Sequence, residues 1–491
     1  MLFNSYQFLI FFPVITIIYY VVPRKARTVV LLAASYYFYM NWNPKYIILI
    51  VTSTVVTYLS GVLIETKPNI KKNILTMCVL CNIGILFFFK YFNWVMDCIN
   101  TVLRGFTGSS VDMRLNVILP VGISFYTFQA LSYTIDVYRG TISAERSIVK
   151  YALFVSFFPQ LVAGPIERSE NLLPQIKHLQ EIKFEYERVV KGLILIIWGL
   201  YMKMVIADRI AILVNRVFEN YLHYGTVELI VGALAFSIQI YCDFASYSII
   251  AVGAAGVLGV KLMSNFETPY FSQGIKEFWR RWHISLSSWL KDYVYIPLGG
   301  NRCSKIRKYF NLLVTFLISG LWHGANGTYV LWGGVHGIFQ IIGEATKPIK
   351  SFCCDKLEIK TDCWSWKALK AIITLVLTTF AWIFFRCSSI SMALSFIKRI
   401  FIAPDWWALF DDSLLQLGLS QKEWGILRVS LMILLIVDAI KYKSGERLDT
   451  VLCKQNAWFR WLVIIFMISS IWILGVYGPD VSSETFIYFQ F

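Results

Sequence analysis

Charge is what this chain has least of. Only 15% of its residues are Asp, Glu, Lys or Arg, against 57% hydrophobic and 16% aromatic. That balance excludes an ordinary soluble protein and points to a chain dissolved mostly in lipid. Acid is scarcer than base, which leaves a formal charge of +16. The basic residues fall in short segments between apolar runs, the pattern of cytoplasmic membrane loops rather than of a nucleic-acid patch. No G-x-S-x-G elbow occurs, so the serine-hydrolase reading has no support. Ile296-Pro297-Leu298-Gly299-Gly300-Asn301-Arg302 lacks the Lys-Ser/Thr ending of a phosphate loop and reads as a turn beside the headgroups. The ten cysteines form no paired framework. Cys78 and Cys81 lie one turn apart in an apolar segment, and Cys353, Cys354 and Cys363 fall in a basic loop. No set of four spaced zinc ligands is present, so reduced structural thiols and no metal are expected. Internal repeats, low-complexity tracts and flexible linkers are missing too. One membrane domain, 1–491, is the expected organisation.

What is present is a series of apolar passages. Residues 1–22 carry no charge and are followed at once by Arg24, Lys25 and Arg27. A secretory signal carries its positive residues first. Here they follow, so the segment is expected to stay as a first span with Met1 outside. Further spans are expected at 28–42, 44–64, 73–92, 116–137, 192–214, 227–247, 309–326, 328–344, 368–386, 425–441 and 457–477. The fold class is therefore all-α and polytopic, with about 11–13 transmembrane helices. The run 151–166, broken by Pro159 and Gly164-Pro165, reads as re-entrant, and the Ala/Gly-rich stretch 251–260 is expected to behave likewise. The basic connection 261–308 is placed in the cytoplasm, and its Trp279, Trp282 and Trp289 suit a helix lying at the interface. Loops 65–73, 138–150, 345–367 and 442–456 fit the same side. About twelve crossings from an outside start put both termini outside the cytoplasm.

Histidine is rare: His178, His223, His283, His323 and His336 are all there are. His323 and His336 sit in two apolar passages joined near Ala325-Asn326-Gly327, with His283 upstream in the cationic stretch. An imidazole in an apolar passage is costly unless it has a partner or a task. A hydrogen-bonded structural role is the plain reading of each. His323 carries the sharper one, because it lies between Trp322 and Gly324 in a glycine-dense segment where a ligand could approach closely. Asp243 is an acid on an apolar passage, suited to orienting an imidazole or pairing with an arginine.

Two stretches resemble a known family. NFETPYFSQGIKEFWRRWHISLSSWLKDYVYIPLGGNR, followed by LISGLWHGANGTYVLWGGVHG, is similar to the signature of the membrane-bound O-acyltransferase superfamily. The nearest branch is that of bacterial alginate and peptidoglycan O-acetyltransferases. The opening MLFNSYQFLIFFPVITIIYYVVP, then LPVGISFYTFQALSYTIDVYRG and FFPQLVAGPIERSENLLPQI, agree in order. Across about 345–480 only the apolar pattern matches. The resemblance implies tilted and re-entrant helices around a central funnel, with His323 as the signature histidine and His283 as the second motif histidine. Where many relatives carry an acid soon after a DFSGYS-like motif, this chain has Ile249. The last residues, 486–491, are similar to the aromatic C-terminal motif of the small peptide partner in teichoic-acid D-alanylation. That likeness suggests an extracytoplasmic acyl relay through Tyr488, the alternative being an interfacial anchor.

From these parts follows an expected mechanism. An acyl thioester, expected to be acetyl-CoA and a co-substrate rather than a tightly bound cofactor, docks where Lys276, Arg280, Arg281, Lys291 and Arg302 offset its phosphates. His323 activates Tyr488, whose phenol (pKa ~10) needs a base at neutral pH. A secreted or membrane-anchored SGNH-type acyltransferase then esterifies a cell-surface polysaccharide. Two rivals remain at this stage. One is D-alanyl transfer to teichoic acid. The other is a non-enzymatic polysaccharide-export or transport subunit, which would predict inverted repeats.

Overall fold

Backbone amides cannot stay unpaired in hydrocarbon, so a chain this apolar must close its hydrogen bonds within each segment. The computed structural model describes residues 1–477 apart from 109, 112 and 163. Every regular element among them is helical. Six helices are long and apolar enough to cross a membrane: Pro44–Thr66, Pro68–Thr107, Tyr186–Glu219, Thr226–Val257, Trp364–Arg386 and Ala457–Leu474. The other expected passages are also largely helical but shorter or more polar, among them Tyr6–Val21, Lys305–His323, Gly327–Ala345 and Gln421–Ser444, while the expected span 116–137 becomes helical only at Ile123. The chain is a multi-pass membrane protein.

It forms two compact units, Met1–Ile196 with Tyr247–Met263, and Ile197–Ser246 with the described residues from Ser264 onward. In the first unit the expected break over 151–166 is present. Helix Ile148–Ser156 stops at Phe157, whose ψ of 110° leaves the helical region, and a single turn, Phe158–Leu161, follows. Irregular backbone survives inside an apolar unit only if its polar groups find partners. Phe158 N donates to Ser35 Oγ at 3.1 Å, and Gln160 Nε2 donates to the Phe154 carbonyl at 2.9 Å. Downstream, the fully buried Glu167 accepts from Met263 N at 2.6 Å and Asn171 Nδ2 at 2.5 Å.

The stretch 251–260 is not re-entrant. Helix Thr226–Val257 runs on through most of it. Its small residues serve packing: a Cβ on Gly253 would lie 2.6 Å from the Gly192 carbonyl oxygen, and one on Gly192 would lie 2.7 Å from that of Gly253. Two helices touch backbone to backbone there, and only glycine permits that approach.

In the second unit the connection after Ser264 folds into short helices, Ile275–Arg281 and Ile284–Leu290, and a π turn, Lys291–Tyr295. Its tryptophans are not at an interface. Trp279, Trp282 and Trp289 are 7%, 1% and 6% exposed. The helical period explains this: Ile275, Phe278 and Trp279 share a buried face, while Lys276 and Arg280 occupy the exposed one. Beyond it, Lys305–His323 and Gly327–Ala345 form a tight helical hairpin. Ser304 caps the first helix, and Asn326 the second by accepting from Thr328 N at 3.1 Å. Gly320 lies against the Tyr329 carbonyl and Gly333 against that of Phe316, which sets the helices at glycine distance.

Candidate active site

His323 is the last residue of its helix, because Gly324 turns to extended backbone immediately after it. Hairpin and neighbours enclose its ring in aromatic groups: Trp322 at 5.0 Å, Trp332 at 5.1 Å and Phe385 at 5.4 Å between centroids. Only 4% of the residue is exposed.

His283 reaches the same place from the opposite element. It holds a left-handed conformation, φ 43°, between the helices Ile275–Arg281 and Ile284–Leu290. Asn265 fixes the kink: its carbonyl accepts from Ile284 N at 3.0 Å and its side chain from Ser285 N at 3.1 Å. The buried His283 ring then lies 4.7 Å from Phe244, 5.7 Å from Trp322 and 6.2 Å from His323. Burial pushes its pKa down to about 3, so this imidazole is neutral across the physiological range.

The third histidine has a visible structural task. Trp279 Nε1 donates to His336 Nδ1 at 3.3 Å, and the ring lies 5.1 Å from both Trp279 and Trp332. Trp332 thus touches His323 and His336 alike. His283 and His323 both lie against Trp322, and with His283 held uncharged a proton taken up by His323 would meet no second positive ring there.

Of the cations expected to hold the donor, Lys276, Arg280, Lys291 and Arg302 are exposed. Arg281 is half-buried and committed elsewhere. Its Nε donates to Glu277 at 2.9 Å, its Nη1 donates to the Glu267 carbonyl at 3.2 Å, and its guanidinium lies 5.2 Å from the Tyr442 ring. Tyr488 lies outside the described residues.

Asp243 pairs with neither an imidazole nor an arginine as its main partner. Lys203 Nζ lies 2.5 Å from it and 2.8 Å from Asp208, with all three side chains at 5% exposure or less. The π turn Met202–Ala207 presents Lys203 to both carboxylates. Sequence reasoning passed over Lys203 and Asp208, although three charges inside the expected span 192–214 (Lys203, Asp208 and Arg209) were the signal. A second buried polar contact, Tyr241 Oη donating to Asp438 at 3.0 Å, also went unread.

Known proteins share this layout of sequence. The sequence model of the membrane-bound O-acyltransferase family matches residues 72–390, a span that holds His283, His323 and His336. A Pseudomonas aeruginosa protein named "Probable alginate O-acetylase" is 37% identical over 410 residues, 83% of this chain and 76% of its own length. A peptidoglycan O-acetyltransferase of Helicobacter pylori is 36% identical over 387 residues, 74% of this chain and 71% of its own length. A teichoic acid D-alanyltransferase of Bacillus subtilis is 31% identical over 241 residues, covering 46% of this chain and 59% of its own length.

Proposed function

Because this chain belongs to the membrane-bound O-acyltransferase family and is an O-acyltransferase of the membrane, we propose that it moves an acetyl group from a cytoplasmic thioester to a cell-surface polysaccharide. The observation that carries this reading is the meeting of His283 and His323, 6.2 Å apart, inside one aromatic enclosure. Both rings come from the two stretches that resemble the family signature.

The donor is acetyl-CoA, whose phosphates meet the exposed Lys276, Arg280, Lys291 and Arg302. His323 acts as general base. It takes the proton of the attacking hydroxyl as the new C–O bond forms, and returns it to the departing thiolate as the C–S bond breaks. His283, neutral and fixed by Asn265, keeps the enclosure free of a competing charge. The first acceptor is the phenol of Tyr488, and an SGNH-type partner then transfers the acyl group to a polysaccharide hydroxyl outside the cell. Alginate or peptidoglycan acetylation, which the relatives' names describe, is the model for that last step.

The test is thioester consumption by the purified protein in vesicles, with acetyl-CoA offered alongside a D-alanyl carrier protein. Release of free CoA, and an acetylated C-terminal peptide that Tyr488→Phe lacks, is the expected result. Consumption of the D-alanyl thioester alone would replace the acetyl reading. Undiminished polysaccharide acetylation in Tyr488→Phe would remove the tail from the route.

A further inference from the structure

A second cluster of cations belongs to the first unit, whereas the stretch 276–302 assigned to the donor belongs to the second. Arg24 and Lys25 begin the short turn Arg24–Ala26, just after the apolar helix Tyr6–Val21. Lys150 comes from the first turn of helix Ile148–Ser156, and Lys177 ends helix Ser169–Lys177. With Thr28 and Ser147 they line a cavity of about 240 Å³.

Arg24, Lys25 and Lys177 are exposed, so solvent weakens the repulsion among these charges, but an anion placed among four cations is still favoured. Among the described residues, the one acid paired to the group is Glu145, 2.9 Å from Lys177 Nζ. Among the described residues, Arg24, Lys25 and Lys150 make no ion pair. Ser147 is the N-cap of the nine-residue helix behind Lys150, so the positive end of a helix dipole adds to the field. Hydroxyls beside cations, at a helix start, suit phosphoryl oxygens.

Exposed aliphatic side chains lie close by in sequence: Val29 lines the cavity and is 56% exposed, Ile148 follows Ser147 and is 42% exposed, and Val21 ends the apolar helix three residues before Arg24 and is 78% exposed. Cations at the end of a membrane helix, flanked by bare aliphatic side chains, match a molecule with an anionic head and a greasy body.

We propose that this cavity binds a phosphoryl anion, the headgroup of an anionic phospholipid, with residues that take no part in the acyl-transfer centre. The ligand chemistry is the phosphoryl group, and the position just past the end of the apolar helix Tyr6–Val21 favours the lipid over a phosphorylated solute. The proposal does not depend on the donor or acceptor assigned above.

The full-length protein tests it. Purified protein is reconstituted in nanodiscs of phosphatidylglycerol mixed with phosphatidylcholine, and retained lipid is read by native mass spectrometry. At about fivefold in affinity per cation, Arg24→Gln with Lys150→Gln should cut the preference for phosphatidylglycerol about 25-fold. Lys443→Gln, an exposed lysine in the other unit, should leave it unchanged and serves as the charge reference. Arg24→Lys should retain most of the preference, which separates lost charge from lost fold. Inorganic phosphate offered to lipid-poor protein distinguishes the sources. Thermal stabilisation by phosphate that the double variant lacks, without any lipid preference, would keep the phosphoryl site and assign it to a solute. Equal retention of both lipids with no response to phosphate, or a double variant that behaves like wild type, would overturn the proposal.

Discussion

His283 shows how much one residue is asked to do. Its backbone lies at φ 43°, where a Cβ is strained and branched side chains are excluded. Asparagine tolerates that region, so His283→Asn should fold while His283→Val should not. The ring's burial makes a pH prediction. In the unfolded chain it titrates near 6.5, and in the folded protein near 3. Between those values the unfolded state binds the extra proton, so the stability contribution is complete above pH 6.5 and is lost as pH falls toward 3. His283→Asn should remove about 1.4 kcal/mol per pH unit from the acid-side slope, measured as unfolding against pH in detergent. An unchanged slope would show that another group sets it.

His323 was legible as a residue because imidazoles are few and this one sits beside Trp322 and Gly324. His283 was recognisable only through the resemblance, since nothing in its spacing announces a backbone kink that aims the ring inward. Lys203 was missed for a different reason. Asp243 was weighed by itself, and a pair 40 positions apart leaves no local pattern.

The decisive element is the hairpin of Lys305–His323 and Gly327–Ala345. It puts His323 against Trp332 only if the two helices meet at backbone distance. A Cβ on Gly333 would overlap the Phe316 carbonyl, whereas one on Gly334 would meet Leu317 Cδ2 at an ordinary 3.4 Å. Gly333→Ala should therefore cost about 1–3 kcal/mol and lower acyl transfer with it. Gly334→Ala should be nearly neutral by both thermal melting and activity. Apolar runs and the Pro159 break were readable as elements, because period and proline act locally. The end of helix Thr226–Val257 was not. Ala and Gly signal either broken backbone or close packing, and only the facing Gly192 decides between them. The tryptophans of 279–289 were misplaced by the same ambiguity, as indole suits an interface and a core alike.

At the scale of the whole molecule, the positive charge is divided among places with different tasks. Lys276, Arg280, Lys291 and Arg302 face solvent without burying their charge, whereas Arg281 holds Glu277 and the Glu267 carbonyl. Changing the four exposed residues to Gln should raise the KM for the thioester severalfold, with a weaker salt dependence and little change in kcat. Arg281→Gln should instead lower the melting temperature. Composition alone identified a membrane protein, and the signature stretches identified its family. The division into two units was not legible, because two of its three boundaries, at 196 and 246, fall within continuous helices.

The central claim rests on the His323 imidazole as the proton acceptor in acyl transfer. Its most direct test is single-turnover acetyl transfer from acetyl-CoA by His323→Gln protein in vesicles, with melting temperature measured on the same sample. The account predicts a loss of at least about a hundredfold in rate with the melting temperature preserved. Transfer within a few-fold of wild type would contradict it.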